Sequence, residues 1–228
     1  MSNDIVLDQN TPWAEIPAML LPAYLETWTM VGIVMSFVIV IGGLIGIALF
    51  NSTARGLSEN PKLYHALSTL VNIGRSLPFL VLMAAIIPFT KWLTGTTIGI
   101  AAAVVPMTIA GIPFFARLVE NALNELPVEI TSVGRVSGGT SLQIIHQVQL
   151  KEALPSLISA ATLNLIAMIE YSAIAGTIGA GGIGYLAVLY GYQRFDHHIM
   201  IATIISLIVT IQMVQWLGNR ISASLQHA

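Results

Sequence analysis

Long apolar runs, separated by short polar loops, make up most of the chain. No charged residue occurs between Thr27 and Ala54, and a helix needs roughly 20 apolar residues to cross a hydrocarbon core about 30 Å thick. This run therefore predicts a first membrane span over residues 27–51. The same test predicts four further spans, over residues 67–92, 97–116, 154–176 and 199–218. Five crossings place the two termini on opposite sides of the bilayer.

The composition agrees with a membrane protein. Hydrophobic residues make up 55% of the 228 positions and charged residues only 9%, which leaves too little polar surface to cover a soluble globule of this size. We therefore expect an all-α, polytopic membrane protein with about five transmembrane helices. Cysteine is absent, which excludes disulfides and thiolate metal sites. The net charge of −2 says little about partners, because the placement of basic residues matters more than their sum.

The basic residues indicate the orientation, because cytoplasmic loops of membrane proteins retain an excess of Lys and Arg. One side of the five-span arrangement holds Arg55, Lys62, Arg117, Arg135, Lys151 and Arg220. The other side holds Lys91, Arg194 and the acidic segment 1–26, which contains no basic residue and does not fit a cleavable signal peptide. We therefore predict an extracytoplasmic N-terminal tail over 1–26, a single membrane domain over 27–228 with a cytoplasmic C-terminus, and a cytoplasmic loop over about 127–152.

Glycine and proline are frequent within the predicted spans. Pro78, Pro88, Pro106 and Pro113 each predict either an ordinary kink or a functional break, since freed backbone groups must find other partners in lipid. The small-xxx-small pair at Gly42 and Gly46 fits internal helix packing as well as a dimer contact. Within the stretch 176–184, residues 179–184 match G-x-G-x-x-G, but no strand precedes them. The stretch therefore predicts a helix end with a plain loop, or a re-entrant or gating segment, and no dinucleotide site.

The polar loop 127–152 has the pattern of a short helix that presents a surface. Two glycines at 138–139 permit backbone angles that other residues avoid, and Thr140 or Ser141 can cap a following helix. Apolar residues then recur at a spacing of three: Leu142, Ile145 and Val148. An interfacial helix on the lipid is the alternative, but Arg135 is the basic residue in the middle of the loop, which fits anionic lipid poorly. A docking surface for a partner protein fits better.

This loop resembles the cytoplasmic coupling loop of ABC-type importer permeases, in which a short helix sits in a cleft of the ATP-hydrolysing partner. The match consists of Gly138, followed after nine residues by Val148-Gln149-Leu150. The rest of the family pattern, Glu-Ala-Ala before the glycine and a final proline, is not matched: the chain has Ser132-Val133-Gly134, with Ser132 where the family has its glutamate, and Lys151 where the family has a proline. Glu129, nearly one helical turn earlier, is a hypothetical substitute for that glutamate.

Several other runs resemble one subfamily, the methionine-uptake permeases. They are 72–79 (NIGRSLPF), 87–90 (IPFT), 95–99 (GTTIG), 105–106 (VP), 113–123 (PFFARLVENAL), 152–155 (EALP) and 171–173 (YSA). The resemblance covers roughly residues 20–225 and implies a five-span homodimer in the bacterial inner membrane that forms a path for D- or L-methionine or a related amino acid. It further implies two ATP-binding cassette ATPase subunits, which bind ATP and Mg, and a periplasmic or lipid-anchored substrate-binding protein.

For this chain the resemblance implies a transport subunit without catalytic residues, bound cofactor or metal site. Its partners would be a second copy, the ATPase subunits, the binding protein and membrane lipid, and no nucleic acid. The residues expected to couple to the ATPase are Glu129, Ser132, Gly138, Thr140, Ser141, Gln143 and Ile144.

Ionisable residues within the spans are candidates for the translocation path, because a charge in the membrane is costly and usually faces protein or water. Arg75 lies early in the second span and fits either an anchor at the cytoplasmic surface or a path residue. Glu170 lies deep in the fourth span. It fits a structural group, hydrogen-bonded between helices or protonated, or a path residue that contacts the amino group of the substrate or narrows the gate at the dimer axis. Met168 fits either an apolar plug or core packing. The full candidate set is Arg75, Pro78, Met168, Glu170, Tyr171 and Ser172.

Other classes of protein fit the sequence less well. An ion-coupled secondary amino-acid transporter or channel would work without an ATPase, but secondary transporters usually have two repeated halves, into which five spans do not divide. An intramembrane hydrolase needs a nucleophile and a base in the bilayer, whereas the histidines fall in loops or at helix ends: His65, His146, His197, His198 and His227. Asp196 beside His197 and His198 offers poor geometry for a metal, and a solvated outer loop is the expectation there.

Overall fold

The computed structural model of the chain describes residues 10–225, in which every regular element is a helix. The prediction of an all-α membrane protein is confirmed. Asp4 and Asp8 of the predicted acidic tail, and His227, lie outside the described residues.

The first helix, α1, runs over Ile16–Asn51 and contains a π-helical turn at Val38–Gly42. It begins well before residue 27, so the segment from Ile16 onward belongs to the helix and not to a tail. The predicted start of the span at residue 27 was placed directly after Glu26, because a charged residue was taken to end the apolar run. In the structure, the Glu26 carboxylate accepts the backbone N–H of Gly182 at 2.7 Å, and the helix carries this charge because it has a partner.

The second predicted span is not one helix. Three helices take its place: α2 (Pro61–Ser76), α3 (Phe79–Ala85) and α4 (Ile87–Thr94). The axes of α2 and α3 differ by 97°, and the break falls at Leu77 and Pro78, whose ψ angles of 126° and 135° are extended. Proline has no N–H and disfavours the helical conformation of the residue before it. The expected helix over 67–92 is therefore a bent pair followed by a short third segment.

The central helix, α5, covers Ile100–Asn124 and is largely buried. The glycines of the small-xxx-small pair face it, because a Cβ on Gly42 would lie 2.9 Å from the carbonyl oxygen of Ile112, and one on Gly46 2.6 Å from that of Ala116. Of the two interpretations of this pair, the structure therefore supports internal packing. The core, where α1, α5 and α8 meet, contains Met30, Val34, Met107, Leu123 and Met168.

The second half of the chain contains two short helices in the polar loop, one long helix in each of the last two predicted spans, and a shorter helix between those spans. They are α6 (Val128–Val136), α7 (Ser141–Ile144, Ile145–Gln149 and Leu150–Glu152), α8 (Leu154–Gly176), α9 (Gly182–Tyr185 and Leu186–Gln193) and α10 (His197–Leu225). Between α8 and α9 the chain reverses through Gly179, Gly181 and Gly182, all with positive φ. The glycine-rich stretch thus ends α8, as predicted, and leads into a helical segment too short to cross a bilayer.

Four helices of the described chain are long and apolar enough to span a membrane: α1, α5, α8 and α10. The bent pair of α2 and α3 makes a fifth if it counts as one span. Arg117 of α5 ties this pair to the centre of the fold, since its guanidinium donates to Ser68 and Asn72 of α2 at 3.0 and 2.9 Å.

Candidate coupling site and translocation path

The turn between α6 and α7 is built by Gly138 and a capping box. Gly138 has φ +75°, a conformation that side chains rarely adopt. Thr140 then caps α7: its hydroxyl accepts the N–H of Gln143 at 3.4 Å, and the Gln143 side chain accepts the N–H of Thr140 at 2.9 Å. The predicted cap at Thr140 is confirmed.

A π-helical turn over Ile145–Gln149 decides which residues of α7 point inward. The two buried side chains are Ile144, 3% exposed, and Gln149, 0% exposed, five residues apart because a π-turn adds one residue to the helical repeat. The apolar face predicted from a spacing of three is therefore displaced: Leu142, its first member, is exposed. This extra residue could not be read from the hydrophobic pattern.

Ile144 packs inside the chain. A Cβ on Gly134 or Gly139 would lie 3.1 or 3.2 Å from its side-chain atoms, so both glycines make room for it between α6 and α7. The expectation that Ile144 itself contacts a partner needs correction, because its buried side chain supports the turn from beneath. The other expected contact residues are exposed: Glu129, Ser132, Gly138, Thr140, Ser141 and Gln143.

Large apolar side chains also lie open on α6 and α7, among them Val133, Val136 and Leu142. Val136 is 89% exposed, and several exposed apolar residues on one surface, unlike a single one, indicate an interaction site. Val133 and Val136 were missed because the helical character of 128–136 was not recognised. Their i, i+3 spacing after Pro127, a residue that favours helix starts, was the available signal.

A reciprocal amide pair fastens α7 to the end of α1. The Asn51 amide donates to the Gln149 side-chain oxygen, and the Gln149 amide donates to the Asn51 side-chain oxygen, both at 3.0 Å. Asn51 is only 9% exposed. The two residues are 98 positions apart in the chain, and no local pattern indicated their contact.

The loop 52–60, which follows α1 and is called the hub loop below, is held in place by hydrogen bonds of two arginines, one from the loop and one from α6. Arg55 of the loop donates to the carbonyl oxygens of Asn124 and Leu126 at 2.9 and 2.7 Å. Arg135 of α6 donates to the carbonyl of Gly56 at 2.6 Å. The two basic residues that indicated a cytoplasmic side thus also hold the hub loop against the end of α5 and against α6.

Two of the expected path residues are buried in the core. Met168 is 0% exposed, and its sulfur would lie 3.0 Å from a Cβ on Gly111 of α5. Ser172 donates to the carbonyl of Ile169 at 2.7 Å, within its own helix. Neither residue lines an open surface of this chain, so core packing is the correct interpretation of Met168.

The other expected path residues come together on one side of α8. The ring of Tyr171 stacks on Phe79 with 4.4 Å between centroids and 5° between planes. Arg75 and Glu170 are both exposed; Glu170 precedes Tyr171 in α8, and the Arg75 guanidinium lies 5.8 Å from the centre of the Phe114 ring. Pro78 is exposed at the break that carries Phe79 to this contact. Opposite charges on a membrane-facing surface must be covered by protein or water.

At the opposite end of the molecule Asp196 organises the start of α10. The Asp196 carboxylate accepts the N–H and hydroxyl of Thr11, at 2.9 and 2.6 Å, and the N–H of Ile199 at 3.0 Å. Trp13 stacks on His198, with 4.5 Å between ring centroids. This group, residues 10–13 against 196–199, is called the terminal clasp below. The expected solvated loop at Asp196 is corrected, because Asp196 is buried.

The hydrogen bonds of the clasp control the ionisation of Asp196. Burial alone would raise the pKa of this carboxyl. The side-chain bond from Thr11, together with backbone N–H groups including that of Ile199, outweighs burial and holds the pKa below its usual value. No group of three or more His, Asp or Glu residues within 10–225 has the arrangement of a metal site.

Comparison with known proteins shows to which family the chain is similar. The family model described as binding-protein-dependent transport system inner membrane component matches residues 45–227. The probable D-methionine transport system permease protein MetI of Vibrio cholerae serotype O1 is 46% identical over 209 residues, which cover 92% of this chain and 93% of that protein. The D-methionine transport system permease protein MetI of Escherichia coli K12 is 44% identical over 151 residues, 66% of this chain and 70% of that protein.

A solved structure agrees with these relatives. A chain of the MetNI methionine ABC transporter, described as inward facing, matches with a TM-score of 0.91 and 38% identity, covering 94% of this chain and 99% of that chain. The chain therefore belongs to the family of binding-protein-dependent transport system inner membrane components.

Proposed function

We propose that this chain is the permease subunit of an ATP-driven ABC importer for methionine, D- or L-, in the bacterial inner membrane. The observation that carries the proposal is the α6–α7 surface. It is exposed, and α7 is fastened to α1 from behind by Asn51 and Gln149, within a fold that matches a methionine ABC transporter chain closely along its length. The names of the relatives from V. cholerae and E. coli support methionine as the substrate.

The partner of the α6–α7 surface is an ATP-binding cassette ATPase, which binds ATP and Mg, while this chain hydrolyses nothing and binds no cofactor. Val133, Val136 and Leu142 enter the partner's cleft, and Glu129, Ser132, Thr140, Ser141 and Gln143 surround them. Ser132 is in the position of the family's glutamate, but its hydroxyl is already bonded to the Val128 carbonyl at 3.1 Å. Exposed Glu129 supplies the negative charge of the docking surface instead.

The α6–α7 surface faces the cytoplasm, and the terminal clasp lies outside, where a periplasmic or lipid-anchored binding protein delivers substrate. Two copies of the chain form the path along their common axis. Arg75, Tyr171 and Glu170 line it, because a second copy and the water of the path cover charges that lipid would not tolerate. Glu170 contacts the amino group of the substrate.

Docking is tested by purifying the tagged chain with its ATPase in detergent. Gly138→Arg is expected to abolish retention of the ATPase, because a large side chain is placed on the docking surface. Gly95→Arg is the matched control: Gly95 has nearly the same φ, +76° against +75°, and equal open space, but lies after α4. Retention that survives Gly138→Arg, or fails equally in both variants, contradicts the docking assignment.

The path is tested by Glu170→Gln in the assembled complex. We expect unchanged assembly and a raised KM for methionine uptake, because the carboxylate no longer meets the amino group. Leu163→Gln is the control, because it introduces an amide at another exposed position of the same helix. It shows whether a new amide by itself changes uptake. Unchanged uptake kinetics in Glu170→Gln would remove Glu170 from the path.

A further inference from the structure

The junction between α7 and α1 has complete hydrogen bonding around the Asn51 amide. Besides the two bonds to Gln149, the Asn51 nitrogen donates to the Ile47 carbonyl at 3.0 Å, and its oxygen accepts the N–H of Leu57 at 3.2 Å. Both donor hydrogens and both acceptor positions of the amide are thus occupied. The junction fixes the distance and the orientation of α7 relative to the last turn of α1.

The pair is separated from water. Gln149 is fully buried, and the neighbouring polar contacts of the hub loop come from the exposed arginines Arg55 and Arg135, which donate to carbonyl oxygens. A buried reciprocal pair has no competing water, whereas exposed contacts exchange readily with solvent. The amide pair is therefore a fully buried polar connection between the docking surface and α1, whereas the Arg135 bond to Gly56 is only partly buried.

Ten residues after its start at Ile16, α1 has a second set of hydrogen bonds to another part of the chain. The carboxylate of Glu26 accepts the N–H of Gly182, and the hydroxyl of Thr27 accepts the N–H of Ile183 at 3.0 Å, where the glycine turn leads into α9. From Glu26 to Asn51 the helix measures about 38 Å at 1.5 Å per residue. One continuous helix therefore joins the docking surface to the glycine turn at the opposite end.

We infer that Asn51 and Gln149 are positioning residues, through which movement of α7 on its ATPase is transmitted along α1 to the glycine turn before α9. The inference rests on the proposed function, since it takes the ATPase as the source of movement. The pair does not touch the substrate. Its role is to make α7 and α1 move as one body, so that ATP hydrolysis is converted into transport.

The test is a double substitution in the full transporter, reconstituted with its ATPase. Asn51→Leu with Gln149→Met removes both amides together and keeps an apolar shape of similar size, so neither amide of the pair is left buried alone, although the Leu57 N–H loses its acceptor. We expect assembly and ATP hydrolysis to persist while methionine uptake per ATP falls about tenfold, the loss of one typical coupling free energy. Gln215→Met with Asn219→Leu is the matched control, because these residues form an exposed amide pair within α10 at 2.9 Å.

A swapped variant separates transmission from folding. Asn51→Gln with Gln149→Asn keeps two facing amides and the same total side-chain length, and we expect it to recover most of the uptake per ATP. Unchanged uptake per ATP in the assembled apolar variant would overturn the inference, and so would equal losses in the apolar and swapped variants. Failure of the unsubstituted chain to retain the ATPase would instead overturn the proposed function, which keeps the two failures distinct.

Discussion

The two ends of this molecule are held together by different chemistry. At the end that carries α6 and α7, called the coupling end below, the neutral amides of Asn51 and Gln149 join α1 to α7. Arginine side chains there donate hydrogen bonds to backbone carbonyl oxygens and hold the hub loop against α5 and α6. At the terminal clasp, one buried carboxylate, Asp196, gathers the donors of Thr11 and Ile199. The first arrangement contains no group that titrates near neutrality or in weak acid, whereas the second depends on a charge. The bonds between α1 and α7 therefore do not depend on a carboxylate, whereas the clasp that fastens the start of α1 to α10 does.

The largest expected loss of stability comes from breaking the amide pair on one side only. Gln149→Met leaves the buried Asn51 amide with two of its four bonds and should lower the free energy of unfolding by about 3 kcal/mol. Thermal unfolding of the detergent-solubilised chain measures this. Gln215→Met, which removes an exposed bond, should change stability by less than about 0.5 kcal/mol. Equal losses of stability from Gln149→Met and Gln215→Met would show that the buried amide pair contributes no more than an exposed one.

A smaller loss is expected at the clasp. Asp196→Ala removes the cap of α10 and the tether to Thr11, at a cost of about 2 kcal/mol. Asp196→Asn keeps an acceptor oxygen without the charge and should cost about half as much, since hydrogen bonds to charged groups are stronger. The same unfolding measurement tests both variants. Asn as damaging as Ala would mean that the charge alone, and not the acceptor geometry, holds the clasp.

The pH dependence should distinguish the two ends. Because its folded-state pKa is lowered, Asp196 stabilises the fold above its unfolded pKa of about 3.9 and loses this contribution as the pH falls through the lower folded value. The difference in stability between the unsubstituted chain and Asp196→Asn should therefore shrink below about pH 4. The difference between the unsubstituted chain and Gln149→Met should stay constant over the same range. A loss of stability for Gln149→Met that varied with pH would contradict the contrast.

The smallest expected effect concerns one bond of the clasp. Thr11→Val keeps the shape of the side chain and the backbone N–H bond to Asp196, but removes the hydroxyl bond at 2.6 Å. We expect a loss of about 1 kcal/mol and a pKa of Asp196 closer to its usual value. Thr29→Val, on an exposed hydroxyl bonded within its own helix, provides the comparison. A larger effect at Thr29 would remove Thr11 from the clasp.

The contrast between the ends also shows what the sequence could predict. The bounds of α8 and the cap at Thr140 followed from local rules, because apolar runs and capping residues act over a few positions. The break at Pro78 was recognised as a kink or a functional break, but its 97° angle depends on packing. The Asn51–Gln149 pair and the clasp at Asp196 join distant segments, and they could not be predicted without the fold.

The π-turn in α7 shows most clearly what the hydrophobic pattern could not predict. One extra residue in the helical repeat exchanged the expected inward face for one that contains Ile144 and Gln149. A polar glutamine at a buried position is costly without a partner, and that partner, Asn51, lies in another helix. Reading the hydrophobic pattern alone therefore misplaced the inward face of the helix on which coupling depends.

The central claim is that ATP hydrolysis by a docked partner drives methionine through this chain. The most direct measurement is methionine uptake into proteoliposomes that contain the chain, its ATPase and the binding protein, with ATP supplied to the ATPase side. The account predicts uptake that requires ATP and disappears with Gly138→Arg, without any ion gradient. Uptake by the chain alone, driven by a proton or sodium gradient, would contradict it and identify an ion-coupled transporter.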